Sequence, residues 1–194
     1  MKTIISESKQ VHENAARRIK ALLDEKPDAV IAFSAGRSMT GLFALLREMS
    51  ARREVCFSAA RVLAVTEFIS APPALTCRAQ LERELLDPVG TVSGNRYFPS
   101  EENFRDYDAL IASLGGIDLA VIGIGHNGHI GYNEPGTQFD TLTRVQILAP
   151  ATRRQLADEF GGEDKVPERA VTMGIKTITD ARDIAVLALG REKA

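Results

Sequence analysis

The strongest constraint in this sequence is a set of short apolar runs separated by stretches of helical periodicity. Asp118 to Ile124 (DLAVIGI) is the clearest, and Ala29 to Phe33, Arg61 to Val65 and Ile184 to Leu189 (IAVLAL) are of the same kind. Near-continuous apolar strands are buried on both faces, which is the condition of a parallel sheet covered by helices. Residues 7–25 carry Val11, Ala15, Ile19, Leu22 and Leu23 at helical spacing, and Pro27 ends that helix. Further helices are predicted over Met39 to Met49, near Cys77 to Leu86 after a loop with Pro72 and Pro73, over about Glu101 to Leu114, and from Pro150 to Phe160. Arg144 to Leu148 reads as an edge strand. The alternation predicts a doubly wound, mostly parallel α/β sheet with helices on both faces, a Rossmann-like three-layer domain. Ligands of such sheets bind beyond the carboxyl ends of the strands, so the segments after Phe33, Val65, Ile124 and Leu189 are where a site is expected.

No internal repeat or linker divides the 194 residues, so a single domain, 1–194, is expected. Charge excludes some partners. With 24 basic and 26 acidic residues the net charge is −2, which offers nothing to nucleic acid or an anionic membrane. No apolar run approaches the roughly 18 residues of a membrane span. The first residues, MKTIISESKQVHENAARR, have no apolar signal core, and Cys56 and Cys77 form no metal-binding pattern. A cytoplasmic protein with reduced thiols is expected.

The segment after DLAVIGI reads Gly125-His126-Asn127-Gly128-His129-Ile130-Gly131-Tyr132-Asn133-Glu134-Pro135-Gly136. Its glycines allow sharp turns and close approach to a ligand. Imidazole passes protons in either direction near neutral pH, and a side chain bonded to one ring nitrogen fixes the tautomer of the other. Asn127 and Glu134 are the candidates for holding His129. The alternative is a polar surface loop whose histidines do nothing. A metal site finds too few spaced ligands here. Between Phe33 and the next helix, Ser34-Ala35-Gly36-Arg37-Ser38 places exposed backbone N–H groups at a helix N-terminus, where an anion is favoured.

The loop G-x-N-G-H-I-G-Y-N-E-P-G resembles the signature of glucosamine-6-phosphate deaminases (isomerases), and the resemblance runs in register from about Asp28 to the end. It implies acid–base assistance to sugar ring opening by His129, oriented by Glu134. Asn127 stands where the family has aspartate or asparagine, and His126 lies at a variable position. The resemblance further implies that the turn with Ala35, Gly36, Arg37 and Ser38 cradles the sugar phosphate, with Arg153 closing over it and Lys193 binding it from beyond the last strand. No metal and no organic cofactor are implied. The expected ligand is a hexosamine 6-phosphate, and a homo-oligomer is possible. The implied reaction converts glucosamine 6-phosphate to fructose 6-phosphate and ammonia, as in N-acetylglucosamine catabolism. The related alternatives are galactosamine-6-phosphate isomerase and 6-phosphogluconolactonase.

The chain departs from the family pattern in three places. Ala35 stands where threonine is common and Arg37 where a second glycine is expected. Arg37 either adds a charge-assisted bond to phosphate or closes the turn with its bulk. Thr66 occupies the position of the aspartate that moves a proton between C2 and C1. Its neighbour Glu67 is expected on the opposite face of the strand, as a structural carboxylate rather than a substitute base. The sequence also stops one residue after Lys193, which suggests a domain shortened at its C-terminus, and a sugar-phosphate-binding homologue with impaired catalysis is the further alternative.

Overall fold

The computed structural model describes residues 8–190. Helix α1 (Ser8–Glu25) precedes strand β1 (Val30–Phe33), α2 (Arg37–Ala51), β2 (Arg61–Ala64), β3 (Thr66–Phe68), α3 (Cys77–Leu81) and β4 (Arg96–Tyr97). The second half runs α4 (Phe104–Ser113), β5 (Leu119–Gly123), β6 (Arg144–Ile147), α5 (Pro150–Phe160), β7 (Arg169–Thr172), α6 (Ile175–Thr179) and β8 (Ile184–Leu187). The five strands β4-β2-β1-β5-β8 form one wholly parallel sheet in that order. From the central β1 the chain winds outward through β2 to β4, then returns and winds the other way through β5 to β8. This is the expected doubly wound arrangement.

Strand alternation assigns each face its helices. Ile31, Phe33, Val62, Ala64 and Val121 pack with residues of α1, α2 and α3. Val30, Ala32, Leu63, Ala120 and Ile122 pack with Tyr107 and Ile111 of α4 and Ile178 of α6. Both faces are therefore buried, which is why the strands read as unbroken apolar runs rather than alternating ones.

A second sheet, β3-β7-β6, is antiparallel and was not anticipated. The apolar run Arg61 to Val65 ends as a strand of the first sheet at Ala64. Val65 is the hinge: its N–H still bonds Phe33 O at 3.0 Å, whereas its carbonyl accepts from Met173 N at 2.9 Å. Thr66 is thereby delivered to the junction of the two sheets. The segment Arg144 to Leu148 is an edge strand as expected, but of this second sheet. Phe68, Tyr132, Leu148, Phe160 and Ala170 form a separate small core beneath α5. The helix near Cys77 to Leu86 also differs, since after Leu81 it widens into a π-helical turn over Glu82–Leu86.

Candidate active site

The winding of the parallel sheet reverses between β1 and β5, so the loops leaving their carboxyl ends diverge and leave a crevice. These are the Ser34–Arg37 turn and the loop that begins at Ile124. Together with the end of β3, the start of α3 and one face of α5, they surround an open cleft of about 960 Å³.

The first wall is the N-terminus of α2. Gly36, at φ 108°, is the residue before the helix, a backbone geometry that suits glycine, and no side chain caps the helix. The Gly36 N–H donates to Gln80 Oε1 at 2.8 Å, which ties the turn to α3. Ser34 lines the same cleft, and its buried hydroxyl has no hydrogen-bond partner among the described residues. An uncapped fifteen-residue helix and an unsatisfied buried hydroxyl in one cleft are the arrangement that favours an anion.

The second wall is the cluster around His129. His129 is 9 % exposed and lines the cleft. Its Nδ1 lies 2.8 Å from Asn127 Oδ1. Asn127 Nδ2 in turn donates to Glu134 Oε2 at 2.7 Å. Because an ionised carboxylate only accepts, this bond turns the Asn127 amide so that its oxygen faces the ring. Nδ1 therefore carries the hydrogen, and Nε2 is the basic nitrogen. Glu134 also accepts from Thr152 Oγ1 at 2.6 Å, and its Oε2 stands 3.8 Å from the imidazole. Gly125 makes the arrangement possible, since a Cβ there would lie 2.3 Å from the His129 ring.

The third wall holds Thr66, Cys77 and Tyr132. Thr66 is buried, with Oγ1 3.5 Å from Cys77 Sγ. Burial pushes the Cys77 thiol up to about 12 and the Tyr132 hydroxyl well above its ordinary value, so both are neutral groups. None of these three side chains is a strong base at neutral pH. Glu67 accepts from the backbone N–H groups of Phe68, Cys77 and Arg78 at 2.7, 2.9 and 2.9 Å, clamping the start of α3. Burial raises its carboxyl, with the three amides pulling the other way.

The remaining expected residues divide. Ala35, Gly36, Arg37 and Ser38 line the cleft, but the Arg37 guanidinium reaches across to α5. Arg154, not Arg153, lines the cleft; Arg153 Nη2 instead donates to Glu163 O at 2.9 Å. Lys193 lies outside the described residues. His126 is exposed at the cleft margin. Sequence reasoning missed Ser34 as a candidate ligand, Gln80, Thr152 and the acidic pair Asp158 and Glu159, which also faces the cleft. Only Ser34 and Thr152 carried a sequence signal, as hydroxyls beside residues already singled out. Among the described residues no group of His, Cys, Asp or Glu is placed to hold a metal ion, and no helix is long and apolar enough to cross a membrane.

The family model for glucosamine-6-phosphate isomerases/6-phosphogluconolactonase matches residues 6–194. The chain belongs to this family. A glucosamine-6-phosphate deaminase of Geobacillus sp. (strain WCH70) is 38 % identical over 193 residues, covering 95 % of this chain and 77 % of the relative. Another from Hahella chejuensis is 35 % identical over 202 residues, covering all of this chain and 77 % of its own. Among solved structures, a monomeric glucosamine-6-phosphate deaminase superposes with a TM-score of 0.92 at 30 % identity, over 96 % of this chain and 81 % of that one. A 6-phosphogluconolactonase from Thermotoga maritima shares the fold, with a TM-score of 0.71 at 20 % identity over 98 % of this chain and 84 % of that one.

Proposed function

We propose that this family member binds glucosamine 6-phosphate in the cleft and converts it, with consumption of water, to fructose 6-phosphate and ammonia. One observation carries the reading: a tautomer-fixed histidine and an uncapped helix N-terminus share a cleft with a buried serine hydroxyl that has no partner among the described residues. The amides of Arg37 and Ser38 and the Ser34 hydroxyl receive the phosphate. That places the sugar ring toward His129, whose Nε2 takes the proton of the C1 hydroxyl and returns one to the ring oxygen, opening the ring. Glu134, through Asn127, supports the imidazolium that forms. A proton shift from C2 to C1 then turns the open-chain amino aldehyde into a C2 imine, which water hydrolyses to the C2 ketone and ammonia; the free thiols Cys56 and Cys77 suit a reducing, cytoplasmic setting.

The proton transfer between C2 and C1 is the weak step. At that position the chain offers Thr66 beside a neutral thiol, and removal of a general base commonly costs about 10² to 10⁴ in rate. This favours a second reading, a protein that binds the amino sugar phosphate and turns it over slowly. Ammonia release from glucosamine 6-phosphate and galactosamine 6-phosphate, measured on the wild type and on Thr66→Asp, tests both. We expect slow release from the gluco epimer and a gain of tenfold or more on Thr66→Asp. Rapid wild-type turnover that falls in Thr66→Asp would mean that the base lies elsewhere. Lactone hydrolysis without ammonia release, or calorimetry showing no sugar phosphate bound, would remove the proposal.

A further inference from the structure

Arg37 belongs to the anion cradle by position, yet its guanidinium is held by the opposite wall. Nε donates to Glu159 Oε1 at 2.8 Å, and Nη2 donates to the Gln155 carbonyl at 3.2 Å. Gln155 and Glu159 are four residues apart on α5, hence on one face, and both line the cleft. The pair therefore bridges the cleft from the first turn of α2 to the last turn of α5.

The bridge is weak. The Arg37 and Glu159 side chains are 66 % and 38 % exposed, a setting in which ion pairs contribute little. A phosphomonoester seated in the cradle is a stronger partner on three counts. It carries close to two negative charges near neutral pH, it offers three acceptor oxygens, and it sits where the α2 dipole adds to the attraction. The other charged groups lining the cleft do not hold Arg37: Glu84 is occupied by Arg83 Nη2 at 2.9 Å and Gln80 Nε2 at 3.2 Å. Asp158 and Arg154 line the same space and, among the described residues, make no bond to Arg37.

We infer that Glu159 is an internal competitor for the phosphate: it holds Arg37 in the empty cleft, yields it when a phosphomonoester enters, and so sets phosphate affinity through Arg37. Glu159 is thus a positioning residue rather than a phosphate ligand. The inference rests on the placement of the phosphate in the α2 cradle under the proposed function. Its consequence is a looser hold on substrate and product alike, with the α5 contact broken in the bound state and restored on release.

Titration calorimetry of the full chain with inorganic phosphate at pH 7.5 tests this on the wild type, Glu159→Gln, Arg37→Gln and the double variant. Glu159→Gln should bind phosphate about two- to fivefold more tightly, the range that an exposed ion pair implies. Arg37→Gln should bind more weakly than the wild type, and adding Glu159→Gln to it should recover almost nothing. In hydrogen exchange, phosphate should speed exchange in the last turn of α5 in the wild type but leave Glu159→Gln unchanged. An equal or weaker affinity in Glu159→Gln overturns the competitor while leaving the cradle standing. The same gain in the Arg37→Gln background overturns it too, since the effect would then be charge acting through space. Absence of phosphate binding in all four proteins overturns both the competitor and the proposed function.

Discussion

Glu134→Gln probes the proton-handling group most sharply, because the structure dictates how the loss propagates. Glu134 accepts three hydrogen bonds, from Asn127 Nδ2 at 2.7 Å, Thr152 Oγ1 at 2.6 Å and Ala149 N at 3.4 Å. A glutamine there has one acceptor and one donor end. If its amide nitrogen faces Asn127, the asparagine must rotate, Nδ2 then meets the histidine, and the ring hydrogen moves to Nε2. If its oxygen keeps Asn127 in place, the geometry survives but the charge does not. At 3.8 Å a carboxylate and an imidazolium interact by about 4 kcal/mol at an effective dielectric of 20, an upper bound since relieved desolvation offsets part of it. Either route removes support for the protonated ring, and we expect kcat to fall by about 10² to 10⁴. Phosphate affinity should stay within twofold, because Glu134 stands behind His129 and does not itself line the cleft. Nitrogen-15 shifts of His129 report the tautomer independently of turnover. Unchanged kcat together with an unchanged Nδ1–H signal would refute the relay.

Two other substitutions test the supports of the site. Gly125→Ala places a methyl group 2.3 Å from the His129 ring, so it should cost about 1–3 kcal/mol of stability and displace the His129 resonances; a native melting temperature with native His129 shifts would contradict the close packing. Asp118 anchors the amino ends of β1 and β5 through Lys26, Arg182 and the Val30 N–H. Burial alone would raise its carboxyl, but Lys26, the Val30 amide and Arg182 hold it below the ordinary value. Its contribution is therefore present above the unfolded carboxylate range and lost as pH falls through the lower folded value. Asp118→Asn should cost about 1–3 kcal/mol at pH 7 and progressively less below pH 4 in urea titrations; an equal cost at pH 7 and pH 3 would refute that linkage.

The parallel sheet was legible because burial on both faces writes itself as unbroken apolar runs, and α1 and α5 because one buried stripe recurs at helical spacing. The second sheet was not. Its strand β3 follows β2 with only Val65 between them, so one apolar run hides a change of sheet. Strand β7 and helix α6, at four and five residues, are shorter than any period can establish. At the site, the glycines around His129 and the turn before α2 announced themselves. The choice between Arg153 and Arg154 did not, because adjacent residues on a helix point about 100° apart and only packing against the second sheet decides which faces the cleft. Glu159 gave no signal, since its meaning comes from Arg37, 122 residues away.

The most direct measurement is a titration with glucosamine 6-phosphate followed by nitrogen-15 resonances on two walls of the cleft. The Gly36, Arg37 and Ser38 amides and the His129 ring should shift together and saturate with one dissociation constant. Saturation at one wall while the other stays still would mean that the two do not serve a single ligand.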